Sequence, residues 1–350
     1  MTGQETENPR VSPSDLRIGV IGAGLIGMNH IQRLTGHTAR AIVTAVVEPD
    51  DTRREAALIA APGAVSFPDT ESLVASGDVD AIIVATYGDL HEPVLMQAIE
   101  ARMPCFVEKP LTRDSVSALR VTEAEQTLDH PIIQVGFMRR FDSEYVALKA
   151  MVDSGEHGAL LMLHMAHRLA SYREGATATM PITDALVHEL DMAMWLSQEP
   201  FVSIDVKRSR QNSLSDSALI DPQLVVLETE SGRLVTVELN VGAQFGYQAT
   251  TEAVFESAVV NCGRTTGPEI RSAGRWGGPE HPSYAPRFDA AFSAQLQRWV
   301  DAACLGGIDG ANAWDGYLAT LVAEAGVKSQ ELRAPITVKA EPRPAFYKTK

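Results

Sequence analysis

A glycine-rich turn between a strand-like and a helix-like segment constrains this chain more than any other feature. Residues 16–30 read LRIGVIGAGLIGMNH, in which a β-branched run leads into Gly22, Gly24 and Gly27. In this spacing the first glycine permits a tight turn, the second lets backbone N–H groups approach a pyrophosphate, and the third lets the helix pack against the strand. The helix is predicted to begin near Leu25, with its positive end towards the phosphates. The pattern predicts a dinucleotide site; a tight connection without a ligand is the alternative.

An acidic residue ends the next strand-like run. Glu48 closes IVTAVVEPD, at about the spacing at which a carboxylate meets the ribose 2′-hydroxyl of NAD. Such a carboxylate repels a 2′-phosphate, so Glu48 favours NAD over NADP. Arg53 and Arg54 follow closely, and two guanidinium groups suit a phosphate, which leaves NADP open.

Composition limits the possible partners and the compartment. The formal net charge of −15 argues against a nucleic acid or an anionic membrane surface, and favours a small ligand with little charge. The three cysteines, Cys105, Cys262 and Cys304, are far apart and suggest neither a disulfide framework nor a zinc site. The polar residues 1–15 contain no apolar signal segment, and no later run is long enough to span a bilayer. We expect a soluble cytoplasmic protein.

The chain is predicted to form two domains after a flexible N-terminus of residues 1–15. Apolar runs alternate with amphipathic stretches over residues 16–137, which predicts a Rossmann domain with a doubly wound parallel sheet. Residues 138–350 are predicted to form an α/β domain with a mainly antiparallel sheet and helices on one face. The predicted strands of the first domain are 16–22, 41–48, 79–86, 104–108 and 131–137.

The second domain has its own sequence signals. Helices are predicted near 142–153 and over 184–196, and Ser231-Gly232 marks a hairpin between two long strands. The last two predicted helices, 288–304 and 314–332, are long enough to pack back on the first domain.

Two groups of side chains are suited to chemistry. The run PCFVEKP ends in Glu108-Lys109-Pro110, and the Lys-Pro step aims Lys109 from a strand end where a nicotinamide would lie. In PITDALVHELDMAMW, Asp184, His188 and Asp191 fall at i, i+4 and i+7 on one face of the predicted helix. An aspartate four residues before a histidine raises the basicity of its imidazole, which suits a general base. A surface lysine and a solvated helix face are the alternatives.

Other polar residues have a less specific pattern. Arg139 and Arg140 follow the last strand of the first domain, and they either bind substrate oxygens or cap the following helix. His164 and His167 lie three apart on a strand, so they point to opposite faces and do not form a metal pair. We expect no metal.

Several of these segments together resemble the glucose-fructose oxidoreductase and inositol dehydrogenase superfamily, and most closely its inositol dehydrogenases. The similarity runs from about residue 16 to the end of the chain. It is carried by GVIGAGLIG, VEKPL, QVGFMRRFDSEYVALK, DALVHELDMAMWL, DPQLVVLET and NAWDGYLA.

The resemblance implies an NAD-linked dehydrogenase that oxidises a ring hydroxyl of an inositol or related cyclitol, and whose open sheet assembles homotetramers. Lys109 matches the family's catalytic lysine, His188 its acid/base histidine, and Asp184 the aspartate that precedes it. The cofactor-binding residues implied are Gly22, Gly24, Leu25, Ile26, Gly27, Glu48, Thr86, Glu108 and Lys109. The substrate-binding residues implied are Lys109, Arg139, His167, Asp184, His188 and Tyr247.

Three departures from the family pattern concern the substrate. Leu169 stands where an asparagine is usual. Phe245 stands where a tyrosine is common, so Tyr247 is left to supply the phenolic hydroxyl. Residues 87–89 read Tyr-Gly-Asp instead of Trp-Gly-Pro. These changes favour a less hydroxylated, methylated or aminated cyclitol, or a pyranose. A sugar dehydrogenase of the same superfamily and a non-catalytic dinucleotide sensor are the rival interpretations; a sensor has no chemical need of Lys109, Asp184 and His188 together.

Overall fold

The computed structural model describes residues 15–263 and 270–348, and these form two compact units. The first contains 15–136, Ser293–Tyr317 and Arg343–Lys348, and the second contains Phe137–Phe292 and Leu318–Pro342. The chain therefore returns to the first unit twice after leaving it at Gly136. Residues 1–14, where a flexible N-terminus is predicted, lie outside the described residues.

The first unit is built on a seven-stranded sheet in the order β15-β6-β5-β4-β1-β2-β3. Strands β1 to β6 are parallel and follow the Rossmann order, and only β15 runs antiparallel, beside β6. The strands are β1 Leu16–Ile21, β2 Ala41–Val47, β3 Val65–Phe67, β4 Ala81–Val84, β5 Cys105–Val107, β6 Ile133–Val135 and β15 Ala311–Asn312. The helices between them are α1 Leu25–His37, α2 Asp51–Ala60, α3 Thr70–Ser76, α4 His91–Glu100 and α5 Ser115–Glu125. The predicted parallel, doubly wound sheet is confirmed.

The core of this unit is formed by apolar residues of the sheet, of α1 and of the later helix α9 (Asp289–Ala303). Ile18 and Val20 of β1 pack with Ile31 of α1. Both β1 residues have β-branched side chains, which suit a buried strand. Trp299, from the part of α9 that belongs to this unit, is fully buried in the same cluster. Helices α2, α3 and α5 each begin after an aspartate whose carboxylate accepts a backbone N–H bond.

The second unit has a seven-stranded sheet in the order β12-β11-β7-β10-β9-β8-β16. Only β7 and β10 pair in parallel, so the predicted mainly antiparallel sheet is confirmed, and β9 and β10 form the hairpin at Ser231-Gly232. Its strands are β7 Leu160–Arg168, β8 Phe201–Arg208, β9 Gln223–Thr229, β10 Leu234–Asn240, β11 Gln248–Phe255, β12 Val259–Cys262 and β16 Ile336–Thr337. The other elements in this part of the chain are α6 Ser143–Ser154, α7 Val187–Ser197, the small hairpin of β13 Ile270–Ser272 and β14 Arg275–Gly277, α8 Tyr284–Arg287 and α10 Ala313–Leu332.

The segment before α7 departs from the prediction. A regular helix is predicted from residue 184, but Pro181–Leu186 forms a π-helix and the α-helix begins at Val187. Pro181 has no N–H to donate, and a π-turn holds one more residue than an α-turn. Asp184 therefore lies in the π-helical turn and His188 in α7, so the regular α-helix predicted from residue 184 begins three residues later.

Candidate active site

The glycine turn of the first unit has the geometry that a pyrophosphate needs. Gly22 has φ +89°, and a Cβ added there would lie 2.8 Å from the carbonyl oxygen of Ala85. A Cβ on Gly27 would lie 2.0 Å from the carbonyl oxygen of Gly22, so α1 approaches the turn as closely as a side chain-free residue allows. Gly24, in contrast, has nothing within 4 Å of an added Cβ. The turn thus leaves open space directly before Leu25 and Ile26 at the N-terminus of α1, which fits a dinucleotide phosphate.

Glu48 is held rigidly where β2 ends. Its buried carboxylate accepts N–H bonds from Ala23 at 2.7 Å and Asp50 at 3.0 Å, and one from Arg53 Nη2 at 3.0 Å. Burial alone would raise the pKa of Glu48, but these backbone and guanidinium donors lower it overall. Arg54 pairs with Asp51 and donates to the Glu48 carbonyl oxygen. Arg53 and Arg54, the two arginines that left NADP binding open, therefore each form an ion pair with a nearby acidic residue.

Glu108 and Lys109 follow β5 at the carboxyl edge of the same sheet. The Glu108 carboxylate lies 2.7 Å from Nε2 of the buried His30 on α1, and its other oxygen accepts from Lys109 N at 3.3 Å. Gly136 packs so closely that an added Cβ would be 3.1 Å from this carboxylate. Thr86 follows β4 at the same edge. The first unit thus places these predicted cofactor residues at the strand ends where α/β sheets bind ligands.

Asp184 and His188 lie on consecutive parts of the π-helix and α7. Asp184 Oδ2 accepts a hydrogen bond from the Tyr172 hydroxyl at 3.0 Å and lies 3.6 Å from Arg173 Nη2. His188 is buried, with its ring centroid 6.2 Å from Phe137 and 6.4 Å from His167. The sequence analysis did not predict that Tyr172 and Arg173, in the loop before the π-helix, contact Asp184.

The two arginines after β6 have different surroundings. Arg140 Nε lies 3.0 Å from Asp191 Oδ2, so the third polar residue of the predicted helix face forms an ion pair. Arg139 is buried and forms an ion pair with Glu189, and its Nη2 lies 3.2 Å from the Tyr247 hydroxyl.

Arg139, His167 and Tyr247 are brought together around Glu189, a residue that the sequence analysis missed. His167 Nδ1 lies 2.9 Å from Glu189 Oε2. The sequence offered one signal for Glu189: it is an acidic residue, between His188 and Leu190, in a predicted helix that is mostly apolar. Two of the predicted substrate-binding side chains, Arg139 and His167, therefore share one carboxylate, and the third, Tyr247, contacts it through Arg139.

The residues that depart from the family pattern differ in exposure. The Phe245 side chain is 55% exposed, whereas Tyr247 is only 3% exposed. Leu169 is partly buried, and its backbone bonds to Asn240 and Ala243. Tyr87, in the third departure, is 77% exposed, so Leu169 is the least exposed of these three substituted side chains.

Two negative findings concern the described residues only. Among 15–263 and 270–348, no helix is long and apolar enough to cross a membrane. The same residues contain no cluster of three or more metal-ligating side chains.

The parallel sheet, the glycine turn and the carboxylate after β2 define a dinucleotide-binding protein with a Rossmann domain. Two family models match the chain: residues 16–137 match the oxidoreductase family with an NAD-binding Rossmann fold, and residues 145–261 match the GFO/IDH/MocA C-terminal domain. The chain belongs to this GFO/IDH/MocA oxidoreductase family.

Similar proteins share almost the whole length. An inositol 2-dehydrogenase of Corynebacterium glutamicum is 49% identical over 95% of this chain and 98% of its own. An inositol 2-dehydrogenase of Leifsonia xyli is 47% identical, with the same shares covered. The crystal structure of myo-inositol dehydrogenase from Lactobacillus casei, in complex with NAD(H) and myo-inositol, matches with a TM-score of 0.92 and 33% identity over 95% of this chain and 100% of its own.

Proposed function

We propose that this protein oxidises a ring secondary hydroxyl of an inositol, converting myo-inositol to 2-keto-inositol with NAD as hydride acceptor. The observation that carries this proposal is the identity of nearly half the residues, over nearly the whole of both chains, with proteins named inositol 2-dehydrogenase. The complex of a similar protein with NAD(H) and myo-inositol supports the same substrate and cofactor.

The residues of the first unit fit the cofactor. The space beside Gly24 suits the pyrophosphate, and the ionised carboxylate of Glu48 suits the ribose diol of NAD. Leu25, Ile26, Thr86 and Glu108 complete the proposed set. When bound, NAD supplies the hydride acceptor, and the protein contributes binding and orientation.

Three side chains have proposed roles at the reacting hydroxyl. His188 takes the hydroxyl proton as general base, and Asp184 stabilises the imidazolium that results. Lys109 stabilises the negative charge that develops on the oxygen. Arg139, His167 and Tyr247 are proposed to bind other hydroxyl groups of the ring.

The side chain of Leu169 favours a second class of substrate. Leu169 offers no hydrogen bond where an asparagine is usual, and an unmatched buried hydroxyl costs roughly 1–3 kcal/mol. A cyclitol with fewer or methylated hydroxyl groups, or a pyranose, would avoid that cost.

We also infer a cytoplasmic homotetramer that binds neither nucleic acid nor membrane. The open face of the second unit's sheet supports the assembly, since it exposes Leu224 and Leu234. The net charge of −15 disfavours anionic partners.

Replacement of the acid/base and charge-stabilising groups tests the mechanism. Lys109→Ala and His188→Ala should each lower kcat on the order of a hundred- to ten-thousand-fold, because both groups act at the reacting oxygen. NADH binding, measured by fluorescence titration, should remain close to that of the wild type. Full activity in either variant would contradict the assigned roles.

A further inference from the structure

Buried Glu189 joins three predicted substrate side chains of the second unit, Arg139, His167 and Tyr247, in one polar network. Glu189 Oε1 accepts from Arg139 Nη1, and its Oε2 lies 2.9 Å from His167 Nδ1. Arg139 Nη2 lies 3.2 Å from the Tyr247 hydroxyl. Glu189 and Arg139 are each only 1% exposed.

The four residues come from four separate segments of the unit. Arg139 lies in a short 3₁₀ turn at Met138–Phe141, His167 in β7, Glu189 in α7, and Tyr247 just before β11. Burying an ion pair removes two charges from water, and apolar residues of similar size often stabilise a fold equally well. Stability alone therefore does not explain a carboxylate at this position.

The carboxylate determines where protons lie in the network. Burial would raise the pKa of Glu189, but Arg139 and His167 lower it overall, so the group is ionised and only accepts hydrogen bonds. His167 must then donate from Nδ1, which leaves Nε2 without a proton when the ring is neutral. One carboxylate thus fixes both a histidine tautomer and the direction of a guanidinium group.

We propose that Glu189 is a positioning residue for polyol binding, which fixes the Nδ1–H tautomer of His167 and, through Arg139, the orientation of the Tyr247 hydroxyl. This inference rests on the proposed function, in which these three side chains bind ring hydroxyls. Glu189 acts through them and not on the substrate itself. Its neighbour His188 lies beside the same His167 ring.

The variant Glu189→Gln tests this role while keeping the shape of the side chain. The amide oxygen should turn to the charged guanidinium of Arg139, which directs the amide NH2 to His167 Nδ1 and moves the proton to Nε2. We expect the KM for myo-inositol to rise about tenfold or more, as for a lost charged hydrogen bond, with a smaller change in kcat. The KM for NAD should not change.

A matched control separates positioning from stability. Asp142 is a buried carboxylate of the same unit, 2.7 Å from Arg287 Nη1. Asp142→Asn should lower the thermal midpoint without raising the KM for myo-inositol. If Glu189→Gln does not fold, Glu189→Asp, which keeps both acceptors, should fold and show a smaller rise in KM.

A second measurement does not depend on turnover. In protein with isotope-labelled histidine, NMR should show His167 as the Nδ1–H tautomer in the wild type and the Nε2–H tautomer in Glu189→Gln, with the signal assigned from His167→Gln. If the wild type does not oxidise myo-inositol, the proposed function fails, and the tautomer still decides the positioning role. An unchanged tautomer and KM in Glu189→Gln, or loss of folding in both Glu189 variants, would overturn the proposal.

Discussion

At the scale of single residues, the carboxylate of Glu48 is the group that we propose to decide between the two nicotinamide cofactors. Its donors from Ala23, Asp50 and Arg53 keep it ionised where the ribose of NAD is proposed to bind. Because Arg53 pairs with this carboxylate, a 2′-phosphate of NADP would have to compete with an existing ion pair.

We therefore predict that Glu48→Ser weakens NAD binding and reduces the preference over NADP. Loss of the ribose acceptor should raise the KM for NAD by roughly tenfold, as for a hydrogen bond to a charged group. Glu55→Ser removes the same charge from an exposed position of α2 and should have little effect. Steady-state kinetics with both cofactors provide the comparison, and a wild type that already prefers NADP would show that Arg53 or Arg54 dominates.

Glu189 is a residue whose proposed role could not be predicted from the sequence. Lys109 and the glycine turn can be found because each depends on a short local pattern. Glu189 contacts Arg139 and His167, and Arg139 contacts Tyr247; these residues are far apart in the sequence, and no local pattern predicts that they meet.

At the scale of secondary structure, the strands of the parallel sheet are the most predictable elements. Long β-branched runs gave predicted strands at 16–22 and 41–48, and the structure has Leu16–Ile21 and Ala41–Val47. The edge strands β3 and β15 were not predicted, because β3 is mostly exposed and β15 has only two residues, so neither forms a buried apolar run like those of β5 and β6. The π-helix before α7 was also missed, since its spacing depends on the surrounding fold.

The loop before the π-helix provides a prediction for Asp184. The Tyr172 hydroxyl lies 3.0 Å from Asp184 Oδ2 and 3.2 Å from the Met180 carbonyl oxygen, and it ties this loop to the π-helix. Tyr172→Phe removes that hydrogen bond and should lower kcat about fivefold, with the KM for NAD unchanged.

A buried phenol elsewhere serves as the control for Tyr172. Tyr347 donates to the Glu125 carboxylate at 2.6 Å within the first unit. Tyr347→Phe should lower the thermal midpoint but leave kcat unchanged. Equal kcat for Tyr172→Phe and wild type would mean that the loop does not orient Asp184.

At the scale of the whole molecule, the open face of the second unit's sheet is the surface proposed for assembly. Leu224 pairs with Glu238 across β9 and β10, and its side chain is 45% exposed. Leu234 lies on the same face of this sheet, and contiguous apolar surface of this kind marks interaction sites.

We predict that Leu224→Arg disrupts the tetramer, because a long charged side chain is costly to bury between copies. Light scattering coupled to size exclusion should show a smaller species. Val116, on the surface of the first unit and 63% exposed, provides the matched control, since Val116→Arg should keep the wild-type mass. A Leu224→Arg variant of unchanged mass would place any assembly on another surface.

The central claim is tested most directly by the formation of NADH when the wild-type protein is mixed with NAD and myo-inositol. The account predicts a steady increase in NADH absorbance with myo-inositol or a close cyclitol, and little with glucose at the same concentration. A response to glucose alone would identify a sugar dehydrogenase, and no response to any cyclitol or sugar, despite NAD binding, would identify a sensor. Either result would contradict the assignment of this chain as an inositol dehydrogenase.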